Sequence, residues 1–403
     1  MVSATPDEST GPRRPRLLPL YAAGFVTAFG AHSIAASLAG FTAAEHASLL
    51  ALGALLAVYD GAEVLLKPVF GALADRVGPR RVLLGGLVAF ALASAAFVVA
   101  GNPGLVGVAR FAQGAAAAAF SPAASALVAR LTPATGHGRT FGSYGAWKGA
   151  GYALGPVLGG LLVTLGGYRL LFTALAALAA AVAVWAALAV PAVEVLPKTR
   201  QTVLDLARRL TGGAFLRPTA ALAGATAALA TGVGFLPAIG ARHGLGPLET
   251  GVVVSLLAAT AALVQPRAGR ARDAGRLRDR TGMAAGLGLA ATGIAVAALL
   301  PGIAGIMLAA VLIGTGTGLI TPLGFAHLAA TSPPERLGQT MGAAELGREL
   351  GDAGGPLLVG AVAAAATMNT GLLTLTTMLG VLAVLVACRS APRQADHRTR
   401  SAG

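Results

Sequence analysis

The sequence predicts an all-α membrane protein: twelve transmembrane helices in two six-helix halves related by a parallel repeat. Three observations lead there. The chain is too apolar for a soluble domain. Of its 403 residues, 55% are hydrophobic and 11% charged, against about 25% charge in a typical soluble domain, and its mean hydropathy is +0.74. The apolar residues fall into twelve runs, each near the roughly 20 residues a membrane helix needs. Finally, one charged stretch occurs twice, 198 residues apart, as expected when a gene for half the molecule has doubled.

The elements follow in order. The first six runs span about 17–41, 47–70, 82–100, 103–131, 142–165 and 168–190; the second six span about 218–241, 247–265, 282–300, 303–328, 338–366 and 369–388. Alternate gaps differ sharply in charge. One set, with the termini, holds Arg13, Arg14, Arg16, Arg76, Arg80, Arg81, Arg130, Arg139, Lys198, Arg200, Arg208, Arg209, Arg217, the arginines of 267–280, Arg336 and the tail arginines. That is about 24 of the 30 basic residues, and the other set holds only Arg169 and Arg242. Cytoplasmic loops carry the excess of Lys and Arg, so both termini are expected in the cytoplasm of an inner (cell) membrane. The net charge of +14 is then an orientation signal, and nucleic acid is not an expected partner.

The first apolar run is too long for a cleaved signal peptide and has no small-residue cleavage pattern after it. The expected organisation is a polar cytoplasmic tail (1–16), an N-terminal six-helix bundle (17–190), a cytoplasmic linker (191–217), a C-terminal six-helix bundle (218–388) and a second tail (389–403). The linker mixes Val203, Leu204, Leu206, Ala207 and Leu210 with Arg and Asp, the pattern of an amphipathic helix lying on the inner face. The single Cys388 leaves no internal disulfide or Cys-based metal site. No phosphate-binding loop of the G-x-x-x-x-G-K-[ST] type occurs, which disfavours an ATP-driven pump. No metal constellation or catalytic triad appears either. No cofactor, no metal and no enzymatic activity are expected.

The repeated stretch reads Pro68-Val-Phe-Gly71-Ala-Leu-Ala-Asp75-Arg76-Val-Gly78-Pro-Arg80-Arg81 in its first copy and Pro266-Arg-Ala-Gly269-Arg-Ala-Arg-Asp273-Ala-Gly275-Arg276 in its second. Gly71 and Gly78 permit a tight turn against helix ends. Asp75 can accept from an exposed helix N-terminus, which carries partial positive charge, or from an arginine. Arg76, Arg80 and Arg81 can lie near anionic headgroups. Further on, Arg110-Phe-Ala-Gln113-Gly114 falls in the fourth run. Gly151-x-x-x-Gly155-Pro156-x-x-Gly159-Gly160 falls in the fifth, where Gly at every fourth position lets backbones approach and Pro156 permits a bend.

Together these stretches resemble the major facilitator superfamily: its signature loop between helices 2 and 3, its R-x-x-Q-G element in helix 4, and in helix 5 the antiporter motif of its drug:proton exporters. The resemblance covers about 17–388. It implies a transporter working by alternating access. Gly71, Asp75, Arg76, Gly78, Arg80, Arg81 and Asp273 would form a latch between the halves, and Gly151, Gly155, Pro156 and Gly159 a gate. Gly351-x-x-x-Gly355-Pro356-x-x-x-Gly360 echoes the helix 5 element in the second half, so part of that element reflects repeat symmetry.

Nine charged residues fall inside the runs: Asp60, Glu63, Lys67, Arg110, Lys148, Glu345, Arg348, Glu349 and Asp352. Each costs about 2.5–3.5 kcal/mol on insertion scales, so partners or a task are expected. Asp60, Glu63 and Lys67 share one face of helix 2; Glu345, Arg348, Glu349 and Asp352 share one face of helix 11. At a rise of 1.5 Å per residue, Lys67 lies roughly 6 Å and Glu63 roughly 12 Å from the inner edge, with Glu345 roughly 10 Å and Arg348 roughly 15 Å in. The resemblance implies that helices 2 and 11 face each other across the halves, so interhalf pairs Lys67–Glu345 and Glu63–Arg348 are expected. That leaves Asp60, Glu349 and Asp352 without a basic partner. A buried carboxylate with no partner exchanges protons near neutrality, so these acids are candidate proton carriers, with Asp60 and Glu349 favoured by depth. Arg110 resembles the family's arginine associated with proton coupling. Lys148 is placed to snorkel or to function.

By analogy with the family, helices 1, 4, 7 and 10 line the substrate path. Tyr21, Phe25, Phe29 and His32 recur along one face of helix 1; Gln113 and Ser121 lie on helix 4, Thr226, Thr231 and Phe235 on helix 7, and Thr315, Thr317 and Thr321 on helix 10. Gly314, Gly316 and Gly318 with Pro322 mark helix 10 as a candidate flexible element. This is an apolar path with few polar groups, fit for a small amphipathic molecule. No acid occurs in helix 1, where some members of that family hold one for cationic drugs, so the resemblance does not imply a specialist for cationic drugs. The leading expectation is a monomeric, proton-coupled exporter, with small-molecule substrate, protons and membrane lipids as partners. A transporter of an anionic metabolite using Arg110, Lys148 or Arg348 is the alternative. A non-transporting receptor or scaffold is the alternative from another class.

Overall fold

The computed structural model describes residues 17–44, 49–99, 103–197, 203–300 and 302–388. The two polar tails and linker residues 198–202 lie outside these. The described residues form α1 (Leu18–Ala44), α2 (Leu49–Val77), α3 (Pro79–Val99), α4 (Pro103–Arg130), α5 (His137–Ala189), α6 (Val203–Thr211), α7 (Gly213–Arg242), α8 (Pro247–Asp273), α9 (Asp279–Leu299), α10 (Ile303–Thr331), α11 (Leu337–Ala365) and α12 (Met368–Ala387). Eight are long and apolar enough to cross a membrane: α3, α4, α5, α7, α8, α9, α10 and α12. The two that carry most of the interior charge, α2 and α11, are not among them.

The long α5 contains two of the expected spans. They meet at Gly166 and Gly167, where φ reaches 69° at Gly167. A residue with a Cβ rarely adopts that left-handed conformation, so the chain reverses there with almost no loop. The expected linker helix is α6, whose Arg209 donates from Nη2 to Gln339 Oε1 at 2.7 Å, at the start of α11.

Within the first half, α1 lies along α5, and α4 along α2 and α3; within the second, α7 lies along α10 and α11, and α9 along α10 and α12. Two long seams join the halves, α2 against α11 and α5 against α8. They are equivalents of one another under the repeat. Leu20, Phe90, Phe120, Leu222, Leu287 and Ile313 are among the fully buried core side chains. Leu188, Val99, Leu65 and Leu357 instead lie on the outside. Large apolar side chains exposed on so many helices suit a lipid surround and would be a liability in water.

The repeated charged stretch is not a loop for most of its length. Residues up to Val77 and up to Asp273 continue α2 and α8, and the actual turns are short, closed by Gly78 at φ 99° and Gly275 at φ 70°. Only the left-handed glycine survives as a turn signal in both copies, which explains why its position can slip by one residue.

Candidate functional site

Both seams are sealed at the arginine-rich end by the same device. Asp75, near the C-terminus of α2, accepts from the backbone N–H groups of Gly338 (2.7 Å) and Gln339 (2.8 Å), the first turn of α11. Asp273, the last residue of α8, accepts from Gly138 (2.8 Å) and Arg139 (2.7 Å), the first turn of α5. A carboxylate at a helix C-terminus opposes its own helix dipole. Here each one lies on the N-terminus of a helix from the other half, where the sign is favourable. The approach is close because glycines meet. A Cβ on Gly71 would run into the Gly338 carbonyl and would stand 3.1 Å from the Gly342 Cα. At the other seam Gly269 meets Gly138, and a Cβ on Gly142 would lie 2.5 Å from the Gln265 carbonyl oxygen.

Deeper in, the seams differ. Helices α5 and α11 align with an offset of 200 residues, so Gly145, Lys148, Gly149 and Tyr152 of α5 correspond to Glu345, Arg348, Glu349 and Asp352 of α11. Lys67 on α2 corresponds likewise to Gln265 on α8. The α5–α8 seam is therefore neutral and glycine-lined around Gln265. The α2–α11 seam is charged.

In that charged seam, Lys67 pairs with Glu63 one turn away (3.2 Å) and with Glu349 across the halves. The Tyr59 hydroxyl donates to the second oxygen of Glu63 at 3.5 Å. Glu345, with no solvent exposure at all, takes Lys148 from α5 at 3.5 Å and Arg348 from its own helix at 3.6 Å. Lys148 also donates to Ser121 at 3.5 Å. Arg348 lies over the Phe325 ring at 5.8 Å, and its backbone carbonyl accepts from Thr226 at 2.7 Å. Arg110 is buried, lies 4.2 Å over the Tyr59 ring and donates to Gln113 at 2.9 Å; Gln113 in turn donates to Ser94 at 3.3 Å. Asp60 and Asp352 are exposed, and neither makes an ion pair or side-chain hydrogen bond among the described residues.

These contacts revise the expected pairing. Lys67–Glu345 and Glu63–Arg348 do not form; Lys67–Glu349 and Lys148–Glu345 do. The reason is side-chain direction. Helical side chains lean toward their own N-terminus, so on antiparallel α2 and α11 they lean opposite ways. The backbone of Lys67 is level with Gly342, but its long chain leans inward while Glu349 leans back to meet it. Depth counted at Cα atoms misses that offset. Glu349 is thereby paired, not free, and Lys148 is a buried bridging cation that does not snorkel.

Other expected site residues are distributed as follows. Gly151, Gly155 and Gly159 press α5 onto α1 within the first half, at Phe25, Phe29 and Ser33, with Pro156 on the same stretch. The echo, Gly351 and Gly355, does the same against Ala223 and Ala227 of α7. Neither row lies at a seam. Arg80 donates to the carbonyls of Val190 (2.8 Å) and Ala187 (2.6 Å), closing the end of α5, and Arg81 donates to Val77 (3.2 Å). Both meet backbone carbonyls of their own half, while Arg76 stays exposed. On α1, Phe25 and Phe29 stack at 5.5 Å, Tyr21 neighbours Tyr144 and Trp147, and exposed His32 meets the Tyr152 ring edge-on at 4.4 Å. Thr226, Thr317 and Thr321 are buried and donate to backbone carbonyls, and Phe235 is half-buried.

One cluster had no sequence forecast. Asp279 at the start of α9 holds Arg272 at 2.7 Å and His327 at 3.1 Å, which braces the Asp273 contact from behind. An acidic residue in the first turn of α9 is the only hint of it in the sequence.

Two repeated helical bundles, joined through paired helix ends and a charged interior seam, define a multi-pass membrane transporter architecture. The sequence comparisons agree. The Major Facilitator Superfamily model matches residues 20–273 and again 219–402. The chain belongs to that superfamily, as a membrane transporter and not an enzyme. Among curated proteins, it is 45% identical over 93 residues to the puromycin resistance protein pur8 of Streptomyces alboniger, covering 23% of this chain and 18% of that one. It is 29% identical over 111 residues to the quinolone resistance protein NorA of Staphylococcus aureus, covering 28% and 29%. The matches thus span less than a third of these relatives. Solved structures share the fold across nearly the whole chain. The human organic anion transporter MFSD10 (TETRAN) superposes with a TM-score of 0.79 at 18% identity, covering 94% of this chain and 100% of that one. A variant of the Escherichia coli fucose:proton symporter FucP gives 0.75 at 14% identity, covering 93% and 98%.

Proposed function

We propose that this transporter exports small amphipathic compounds in exchange for protons, by alternating access between its two halves. The observation that carries this reading is the pair of aspartates left over at the charged seam. Asp60 and Asp352 stand on facing helices of opposite halves, exposed and without an ion-pair partner among the described residues, beside acids that are all paired. Carboxylates so placed can gain and lose a proton as the halves move, whereas Glu63, Glu345 and Glu349 are held by cations. Export is favoured by the local similarity to two drug-resistance proteins. We place both termini and the α2–α3 turn in the cytoplasm of the cell membrane, on the arginine asymmetry. The halves are 17–190 and 218–388, joined by the 191–217 linker, and the working unit is a monomer in contact with lipid.

The test is uptake into inverted proteoliposomes with an imposed pH gradient, using puromycin and a quinolone as probes. The expected result is gradient-driven accumulation that is lost in Asp60→Asn and in Asp352→Asn. Accumulation that needs no gradient, or survives both changes, would refute proton exchange at these acids.

A further inference from the structure

The two seams are counterparts under the repeat, yet only one carries charge. Gln265 of α8 stands where Lys67 stands on α2, and it faces Gly145 and Gly149, the counterparts of Glu345 and Glu349. Lys67 has two carboxylate partners. Gln265 is 6% exposed, its side-chain oxygen accepts no hydrogen bond, and its amide nitrogen donates none among the described residues. Native proteins seldom bury a polar group that way, because the group gives up water and gains no partner. The surroundings show why the amide is unmet. A Cβ on Gly145 would strike the amide oxygen and lie 3.5 Å from the Thr321 methyl group; one on Gly149 would lie 3.8 Å from Ala262 and 3.9 Å from the amide nitrogen. The amide therefore lies over two glycine backbones, beside Ala262 and Thr321. Thr321 already donates its hydroxyl to the Thr317 carbonyl at 3.0 Å. Gly145 and Gly149 are half-buried, and they share a face of α5 with Tyr152, which meets exposed His32.

We propose that the Gln265 amide is a specificity-determining contact for the exported solute, binding an uncharged group that both donates and accepts hydrogen bonds, such as a carboxamide. This rests on the export reading and deepens it: protons are handled at the charged seam, and the solute is recognised at the neutral one. A solute carboxamide supplies both the N–H and the C=O that Gln265 lacks. Glycine at 145 and 149 keeps side chains of α5 out of its way. The residues around the amide carry no charge, so an ionic head finds no counter-ion there and would be costly to desolvate. Both sides of the membrane can reach the amide in turn. Gln265 lies about 12 Å along α8 from Asp273, just inside the Gly269–Gly138 contact. Parting that contact opens the amide to the arginine-rich end, while the Tyr152 face leads the other way.

The experiment is equilibrium binding to purified protein in lipid nanodiscs, with no pH gradient. Two matched probes are used, para-butylbenzamide and methyl para-butylbenzoate; the ester accepts a hydrogen bond but cannot donate one. Gln265→Met keeps the length of the side chain and removes the amide, and Gln265→Leu serves if that variant fails to fold. The substitution should weaken the benzamide about tenfold more than the ester, the factor one hydrogen bond contributes. The differential should be the same at about pH 6 and pH 8, because an amide does not titrate there. Without ligand, Gln265→Met should melt at the wild-type temperature or above, since it removes an unpaired polar group. Equal losses for the two probes, or no binding of either, overturn the proposal. So does a lower melting temperature, which would mean that the amide is bonded within the seam, or a differential present at only one pH. Gradient-driven puromycin uptake by wild type together with equal probe losses would sink this inference alone. A tenfold differential without gradient-driven uptake supports the amide contact and sinks the proton-exchange reading.

Discussion

Neutralising the two helix-capping aspartates should open the arginine-rich end. Each of Asp75 and Asp273 accepts two backbone N–H bonds of 2.7–2.8 Å from a helix N-terminus in the opposite half. Asn is nearly isosteric but keeps one acceptor and loses the charge. A hydrogen bond to a charged group contributes about 1.5–3 kcal/mol, and a charge at a helix terminus about 0.3–1 kcal/mol. A net loss of about 2 kcal/mol per site is therefore reasonable, roughly 30-fold in the conformational equilibrium at about 1.4 kcal/mol per tenfold. The two sites share no partner, so their effects should add. The double variant should then shift the equilibrium by several hundred-fold. Spin labels at Val77→Cys and Arg276→Cys, in a Cys388→Ser background, sit on opposite halves at this end. Their distance distribution should broaden and lengthen modestly in each single variant and move to a longer mean in the double variant. An unchanged distribution in a correctly folded double variant would refute the argument that these contacts hold the end shut.

Two further outcomes follow from the seam. Gly71→Leu places a side chain against the Gly338 carbonyl, so transport should fall to background while thermal unfolding stays cooperative; activity near wild type would mean that the glycine contact is dispensable. Lys67→Gln leaves Glu63 and Glu349 without their cation and should cost about 3–5 kcal/mol, the range for breaking a buried pair. Adding Glu349→Gln should restore part of that stability in detergent melts, and a double variant no more stable than the single would argue against the Lys67–Glu349 bridge.

Much of this molecule was readable before any coordinates. The doubled charged stretch establishes two halves, and most spans announce themselves by length and composition because membrane helices must satisfy their own backbone, though the charged α2 and α11 do not. Helical periodicity alone places Asp60, Glu63 and Lys67 on one face and Glu345 to Asp352 on another. Which charge meets which was not readable. Partner choice turns on the lean of each side chain and the reach of a lysine, distances of a few ångströms that Cα counting along two antiparallel helices cannot resolve. Lys148 shows the same limit: its bridging role appears only when α5 and α11 come together around Glu345. Sequence determined the halves, the spans and the charged faces, since these depend on local pattern and repeat. Tertiary structure decided the ion partners, the neutral character of one seam around Gln265 and the two aspartates left without an ion pair among the described residues at the other, since these depend on how separate helices approach in space.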